Sequence, residues 1–178
     1  MAYLLRQPIE EAAAAPRAAQ PTAGEAFRSA MREFASGVAI VAAGQGERRN
    51  GCTATSFCSL SIDPPSLVVC LDRASATLAT LRSEGAFGVS MLAEAHADLA
   101  DRFAGRNGLR GAARFAGAGW TALSSGAPLL QGAVATLDCA VEEIVERHTH
   151  AIVIGRVIAA RAWGGRPLLH WRGRALSP

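Results

Sequence analysis

Between Gly51 and Ser61 the chain reads Gly-Cys-Thr-Ala-Thr-Ser-Phe-Cys-Ser-Leu-Ser, and Ile62-Asp-Pro-Pro65 follows at once. In an extended segment, successive side chains point to opposite faces. Thr53, Thr55, Ser59 and Ser61 then fall on one side, and Ala54, Ser56 and Cys58 on the other. A row of small hydroxyls beside backbone amides lets a polar, planar ligand come close to the chain. The same row also suits the solvent face of a strand, and spacing alone leaves both readings open.

A second candidate is His148-Thr-His150, whose spacing puts two imidazoles on one face of a strand and can bind zinc or nickel. No third ligand with suitable neighbours accompanies the pair, so no metal is assigned. Cys52, Cys58, Cys70 and Cys139 form neither CxxC pairs nor a secreted disulfide framework. None sits beside an obvious base. They read as reduced, small core residues of a cytoplasmic protein.

These residues need elements to hold them. Residues 1–22, rich in Ala, Pro, Gln and Glu, read as a flexible arm, and 23–178 as the folded domain. Thr22-Ala-Gly-Glu25 has the spacing of a capping box, and Phe27, Ala30, Met31 and Phe34 recur with helical period up to Gly37. The period then changes. Val38–Ala43 is a buried strand, Gly44-Gln-Gly46 a hairpin turn, and a further strand starts near Cys52. Asp63-Pro-Pro65 forces a turn before a strand at Ser66–Leu71. Helical patterning recurs at 75–83 and 94–104, with a strand at Ala86–Leu92 between them. The glycine-rich stretch Gly105–Gly126 is expected as a mobile excursion. Leu129–Glu146, Thr149–Trp163 and Leu168–Trp171 complete the strands. Without regular strand–helix alternation, the pattern predicts a mainly β, antiparallel barrel with a few short helices.

Composition limits the function. The 178 residues are 50% hydrophobic and 19% charged, with mean hydropathy +0.18. A chain of this size buries about 70% of its unfolded surface and needs no disulfide or structural metal to fold. The net charge is +3 and every basic residue is arginine, but no run of five forms, which argues against nucleic acid. Arg48-Arg49 reads as a solvated hairpin tip. No stretch of 18 apolar residues predicts a membrane span, and Glu10-Glu11 interrupt any signal-peptide core.

The segment Gly51–Leu71 resembles the flavin reductase family, the short NAD(P)H:flavin oxidoreductases of two-component monooxygenases. It matches that family's G-x-T-A-(T/S)-(S/A)-x-x-S-(L/V)-(S/T) strand, D-P-P turn and L-x-V-C-(L/I) strand. The likeness continues in order through Arg73-Ala-Ser-Ala-Thr77, Phe87–Leu92, His96–Gly105, Gly126–Ala133 with Asp138-Cys139, Thr149–Gly155 and Leu168–Gly173. The chain departs from the pattern at its end. Gly173-Arg-Ala175 lacks the family's aromatic residue, and His170 stands where Tyr or Phe is frequent.

The resemblance implies an FMN-binding split barrel, an antiparallel Greek-key fold that works as a homodimer with flavin near the subunit interface. It implies reduction of FMN or FAD by NADH or NADPH, and supply of reduced flavin to a flavin-dependent oxygenase by diffusion. It places Thr53, Ala54, Thr55, Ser56 and Ser59 along the flavin, Ser75 and Thr77 near its phosphate, and Phe103 and Ala104 at its border. An ordinary core phenylalanine remains the other reading of Phe103. His150 is implied to lie where nicotinamide meets flavin, as a hydrogen-bond donor and not a nucleophile, because hydride transfer needs none. The alternative is a non-enzymatic flavin-binding or flavin-sensing protein on the same barrel.

Overall fold

The computed structural model describes residues 20–176, so most of the expected arm lies outside the described residues. The chain divides into two units, Met1–Met31 and Arg32–Pro178. α1 (Ala23–Arg32), whose last residue belongs to the second unit, begins at the capping box: Thr22 N donates to Glu25 Oε2 at 2.8 Å, and Glu25 N to Thr22 Oγ1 at 3.3 Å. Its apolar side is exposed, with Phe27 at 67%. The helix stops before the expected Gly37, because Ser36–Gly37 is claimed by strand pairing.

In chain order the second unit contains β1 (Ser36–Gly37), β2 (Ala39–Ala43), β3 (Asn50–Ala54), β4 (Phe57–Ile62), β5 (Pro65–Asp72) and α2 (Ala76–Glu84). It continues with β6 (Ala86–Met91), α3 (Ala97–Phe103), β7 (Trp120–Thr121), β8 (Leu129–Leu130) and β9 (Ala135–Arg147). The last strands are β10 (His150–Ala162), β11 (Leu169–Trp171) and β12 (Arg174–Leu176). The main sheet has the order β3-β2-β6-β9-β10-β5-β4, with every pairing antiparallel.

That order explains the hydroxyl-rich segment. β3 and β4 are the two outer strands of the sheet, yet only Thr55 and Ser56 separate them. The sheet must therefore roll until its edges nearly meet, which is the expected split barrel. Ser56 fastens the joint: its Oγ donates to Cys70 O at 2.8 Å, and Cys70 N donates to Ser56 O at 2.9 Å. The single strand expected over Gly51–Ser61 is thus two strands, because the chain changes its pairing partner from β2 to β5.

β2 is buried on both faces, which accounts for its unbroken apolar run. Ala39, Val41 and Ala43 join a cluster with Val69, Leu71, Phe87, Val89 and Val153. Ile40 and Ala42 face a second cluster with Leu92, Phe103, Phe115 and Leu130. The excursion after Gly105, expected to be mobile, is anchored by the second cluster. Phe115 is 2% exposed and stacks with Phe103 and Trp120 at centroid distances of 4.9 and 4.7 Å. Arg49 is likewise not a solvated tip; its guanidinium sits 4.7 Å from the Phe115 ring centroid. Buried Asp138 holds the next loop by accepting from Ser125 N at 2.8 Å and from the Ser125 hydroxyl.

β9 and β10 can lie close over Phe87 because residue 155 has no side chain. A Cβ there would come within 2.4 Å of Phe87 Cζ, and Phe87 is fully buried. Gly155→Ala should therefore destabilise the fold by about 1–3 kcal/mol, the usual cost of overpacking a core. Denaturant unfolding followed by circular dichroism checks this, and an unchanged midpoint would contradict the packing.

Candidate functional site

Two cavities flank the stretch where β3 meets the end of α3. The first, of about 230 Å3, is lined by Thr53 of β3, Thr55 of the β3–β4 link, Ala97, Ala100 and Ala104 from around α3, and His170 and Arg174 from the β11–β12 hairpin. Asp101 and Arg106 pair at its rim at 2.6 Å. Its wall is set locally: the Thr53 hydroxyl donates to Ala100 O at 2.6 Å, tying β3 to α3, while alanines keep the facing surface low.

The second cavity, of about 370 Å3, is lined by Asn50, Gly51 and Cys52 of β3, the Ala74–Thr77 start of α2, Gly105, Gly108, Gly111, Arg110 and Arg114. Ser75 is the N-cap of α2, and its Oγ accepts from Leu78 N at 3.2 Å. The earliest N–H groups of a helix have no carbonyl partner within it and favour an anion. The three glycines adopt φ of 81°, 77° and 53°, the left-handed region that glycine occupies without Cβ strain.

Arg114 joins the two sides. Its guanidinium donates to Gly51 O at 2.9 Å, Phe103 O at 3.1 Å and Leu109 O at 2.9 Å, so it binds β3, α3 and the excursion together. Sequence reasoning missed Arg114, Arg110 and Arg174. No local motif marks them, and an arginine between glycines reads as loop until its partners are known.

The expected site residues separate into groups. Thr53, Thr55 and Ala104 share the first cavity, and Ser75 and Thr77 the second. Ala54 instead points into the core at 6% exposure, because alternation on β3 turns it away from Thr53 and Thr55. Phe103 also belongs to the core, at 1% exposure, so of the expected pair only Ala104 reaches a cavity. Ser56 serves the strand joint, and Ser59 is exposed on edge strand β4, outside both cavities.

His150 opens β10 opposite Asp72 and is exposed; its Nδ1 lies 2.9 Å from Thr149 Oγ1. It lines neither cavity, but it stands one strand away from the turn that leads to Ser75, where Ser75 N donates to Asp72 O at 3.1 Å. His148 does not share a strand with it, since it lies in the turn at φ 50°. Among the described residues, no three His, Cys, Asp or Glu side chains gather as metal ligands. Nearby, Glu146 is held below the usual carboxylate range by its hydrogen bond from Arg82, with Arg73 adding to the effect.

The rolled antiparallel sheet is a split barrel, with one cavity on either side of the ridge where β3 meets the end of α3. Comparison with known proteins is specific. The Flavin reductase like domain matches residues 31–177, and the chain belongs to that family. It is 40% identical over 158 residues to FMN reductase (NADH) RutF 2 of Methylorubrum extorquens, covering 87% of this chain and 89% of that one. The structure of the Streptomyces globisporus NADH:FAD oxidoreductase SgcE6 is similar with a TM-score of 0.80 and 33% identity, over 88% of this chain and 94% of that one. BorF, the flavin reductase component of a bacterial two-component tryptophan halogenase, has a TM-score of 0.79 at 33% identity, over 86% and 97%. The expected fold and family are both borne out.

Burial also sets thiol chemistry. Burial pushes the Cys52 thiol up, against smaller opposing effects from a hydrogen bond with Thr77 and the charge of Arg114. Burial and the Asp138 charge push Cys139 up to about 12. Both thiols therefore stay protonated as pH rises through 8, and the thiolate is the reactive form. Iodoacetamide at pH 8 should label exposed Cys58 first and leave Cys139 unlabelled unless the protein is denatured, as read by peptide mass spectrometry. Early labelling of Cys139 in the native protein would contradict its burial.

Proposed function

We propose that this chain is an NADH-dependent flavin reductase that passes reduced flavin to a separate oxygenase. The observation that carries the reading is the pair of cavities on one ridge at Ala104-Gly105, one flat-walled and apolar with a hydroxyl edge, the other rich in donors for an anion. Those residues fit a flavin mononucleotide. Alanines 97, 100 and 104 leave room for a ring, and Thr53 and Thr55 offer hydroxyls to its polar edge. The α2 N-terminus, Ser75, Arg110 and Arg114 suit the phosphate. A bound flavin would supply the acceptor for a hydride from the nicotinamide ring.

In this reading the chain contributes position and charge, since hydride transfer requires no protein nucleophile. The low alanine wall keeps water from one side of the ring site, and the Thr53–Ala100 bond holds that wall at fixed spacing from β3. Relatives that serve as reductase components, BorF among them, support the oxygenase as the consumer. A homodimer is supported by edge strand β4, which presents Leu60 and Ile62 at 54% and 92% exposure. FMN reductase relatives favour turnover over flavin sensing.

Purified protein mixed with NADH and free FMN should consume the nicotinamide absorbance band; absence of turnover would overturn the reading. Ala104→Leu places a larger side chain in the first cavity at an exposed position, so it should weaken FMN binding about tenfold without changing thermal stability. Flavin fluorescence titration measures the first effect, and equal affinity would move the ring elsewhere.

We assign His150 to the nicotinamide on the likeness of Thr149–Gly155 to the family's strand; the residue is exposed and stands beside the Ser75 turn, outside both cavities. His150→Ala should lower kcat/KM for NADH by about ten- to a hundredfold, equivalent to roughly 1.4–2.7 kcal/mol, while FMN affinity holds. His150→Asn should recover part of the loss through its amide donor. Unchanged NADH kinetics in the alanine variant would leave His150 a surface residue.

A further inference from the structure

One carboxylate ties the β9–β10 turn to both ends of α2. Glu146 pairs with Ala151 across β9 and β10, and Ala151 with Leu71 of β5, so Glu146 shares the sheet face whose apolar residues pack with Leu78 and Leu81 of α2. It stands exposed at the rim of that face, between two guanidinium groups. Arg82, in the last turn of α2, reaches Glu146 Oε1 at 2.5 Å, and Arg73, just ahead of α2, reaches Oε2 at 2.6 Å. Arg73 is engaged further. Its Nη1 donates to His148 O at 3.0 Å, and its backbone N to Thr149 O, also at 3.0 Å. His148 has φ of 50°, a region disfavoured for a residue with a Cβ, so these bonds hold a turn whose shape local preference does not supply. The contacts end at the imidazole, where Thr149 Oγ1 lies 2.9 Å from His150 Nδ1.

Resting on the reading of His150 as the residue that meets the nicotinamide, we propose that Glu146 is a positioning residue for hydride transfer: by holding Arg73 against α2, it fixes the turn that carries His150. The helix is the anchor and the turn is the part held. α2 is seated independently, by Leu78 and Leu81 in the interior cluster and by Ser75 as its N-cap. The turn, by contrast, lies past the His150–Asp72 pair that ends the register of β10 with β5. A guanidinium suits this task because its planar fork presents donors in two directions, so Arg73 meets Glu146 with one nitrogen and His148 O with another. Glu146 stays ionised at neutral pH, its carboxyl held low first by the Arg82 hydrogen bond and then by the two guanidinium charges. Ion pairs this exposed add little to folding stability, so what the cluster contributes is the geometry of the turn.

Steady-state kinetics of the full chain with NADH and saturating FMN tests this in a cycle with His150. Glu146→Gln, which keeps the shape and removes the charge, should lower kcat/KM for NADH about three- to tenfold, with kcat carrying most of the loss. The dissociation constant for FMN and Tm should stay as in the parent. Arg73→Lys should do the same, because one ammonium cannot replace both contacts of the fork. In a His150→Ala background, Glu146→Gln should cost nothing more, since the carboxylate acts through that imidazole. Parent kinetics in Glu146→Gln would overturn the proposal. So would equal losses from Glu146→Gln with and without His150, or a parallel loss of FMN affinity, which would make the ion pairs a general support of α2. Parent kinetics in His150→Ala would overturn it as well, because the carboxylate would have nothing to position. Absence of any NADH oxidation in the parent, by contrast, would overturn the flavin reductase reading itself and this assignment with it.

Discussion

Two residues, Thr55 and Ser56, must connect strands that lie at opposite edges of a seven-stranded sheet. A flat sheet cannot meet that demand, because the three Cα steps from Ala54 to Phe57 span at most about 11 Å, whereas six strand spacings of about 4.8 Å would put the outer strands roughly 29 Å apart. The sheet has to curl, and the paired hydrogen bonds between Ser56 and Cys70 hold the curl closed. The interior cluster around Val41, Phe87 and Val153 fills the space so enclosed. At Gly155 this closeness leaves no space for a Cβ over the Phe87 ring.

The site follows from the same closure. Among the described residues β3 pairs in the sheet with β2 alone, so its other side is available to α3 and to the excursion after Gly105. Thr53 bonds to α3, and Arg114 supplies donors to carbonyls of β3 and α3 that the sheet leaves unpaired. The ridge between the two cavities is built in this way, from an edge strand, a two-turn helix and one arginine. The aromatic trio of Phe103, Phe115 and Trp120 supports it from beneath. Buried polar groups without partners cost about 1–3 kcal/mol each, so these contacts stabilise the ridge as well as shape it.

Charge is distributed unevenly over this frame. Several arginines are neutralised locally, as Arg73 and Arg82 are by Glu146, and Arg106 by Asp101. Others gather with fewer carboxylates around the second cavity and the C-terminal hairpin, where the chain presents cationic surface beside concave space. A modest net charge of +3 therefore coexists with two cavities lined by arginines.

The sequence by itself determined the element types and their order. The capping box at Thr22, the unbroken apolar run of β2, the Asp63-Pro-Pro65 turn and the long strands after Leu129 all follow from local rules of capping, alternation and proline geometry. The ordered series of motifs also led to the flavin reductase family. Local rules could not show that one hydroxyl-rich segment is two strands, because the change of partner at Thr55-Ser56 depends on β5, which is distant from β2 in the sheet. Nor could they send Ala54 and Phe103 to the core, place Thr53 and Ser75 in different cavities, or order the glycine-rich excursion through Phe115 and Arg114. Those outcomes belong to tertiary structure, since each turns on contacts between residues far apart in the chain, and local periodicity carries no information about them.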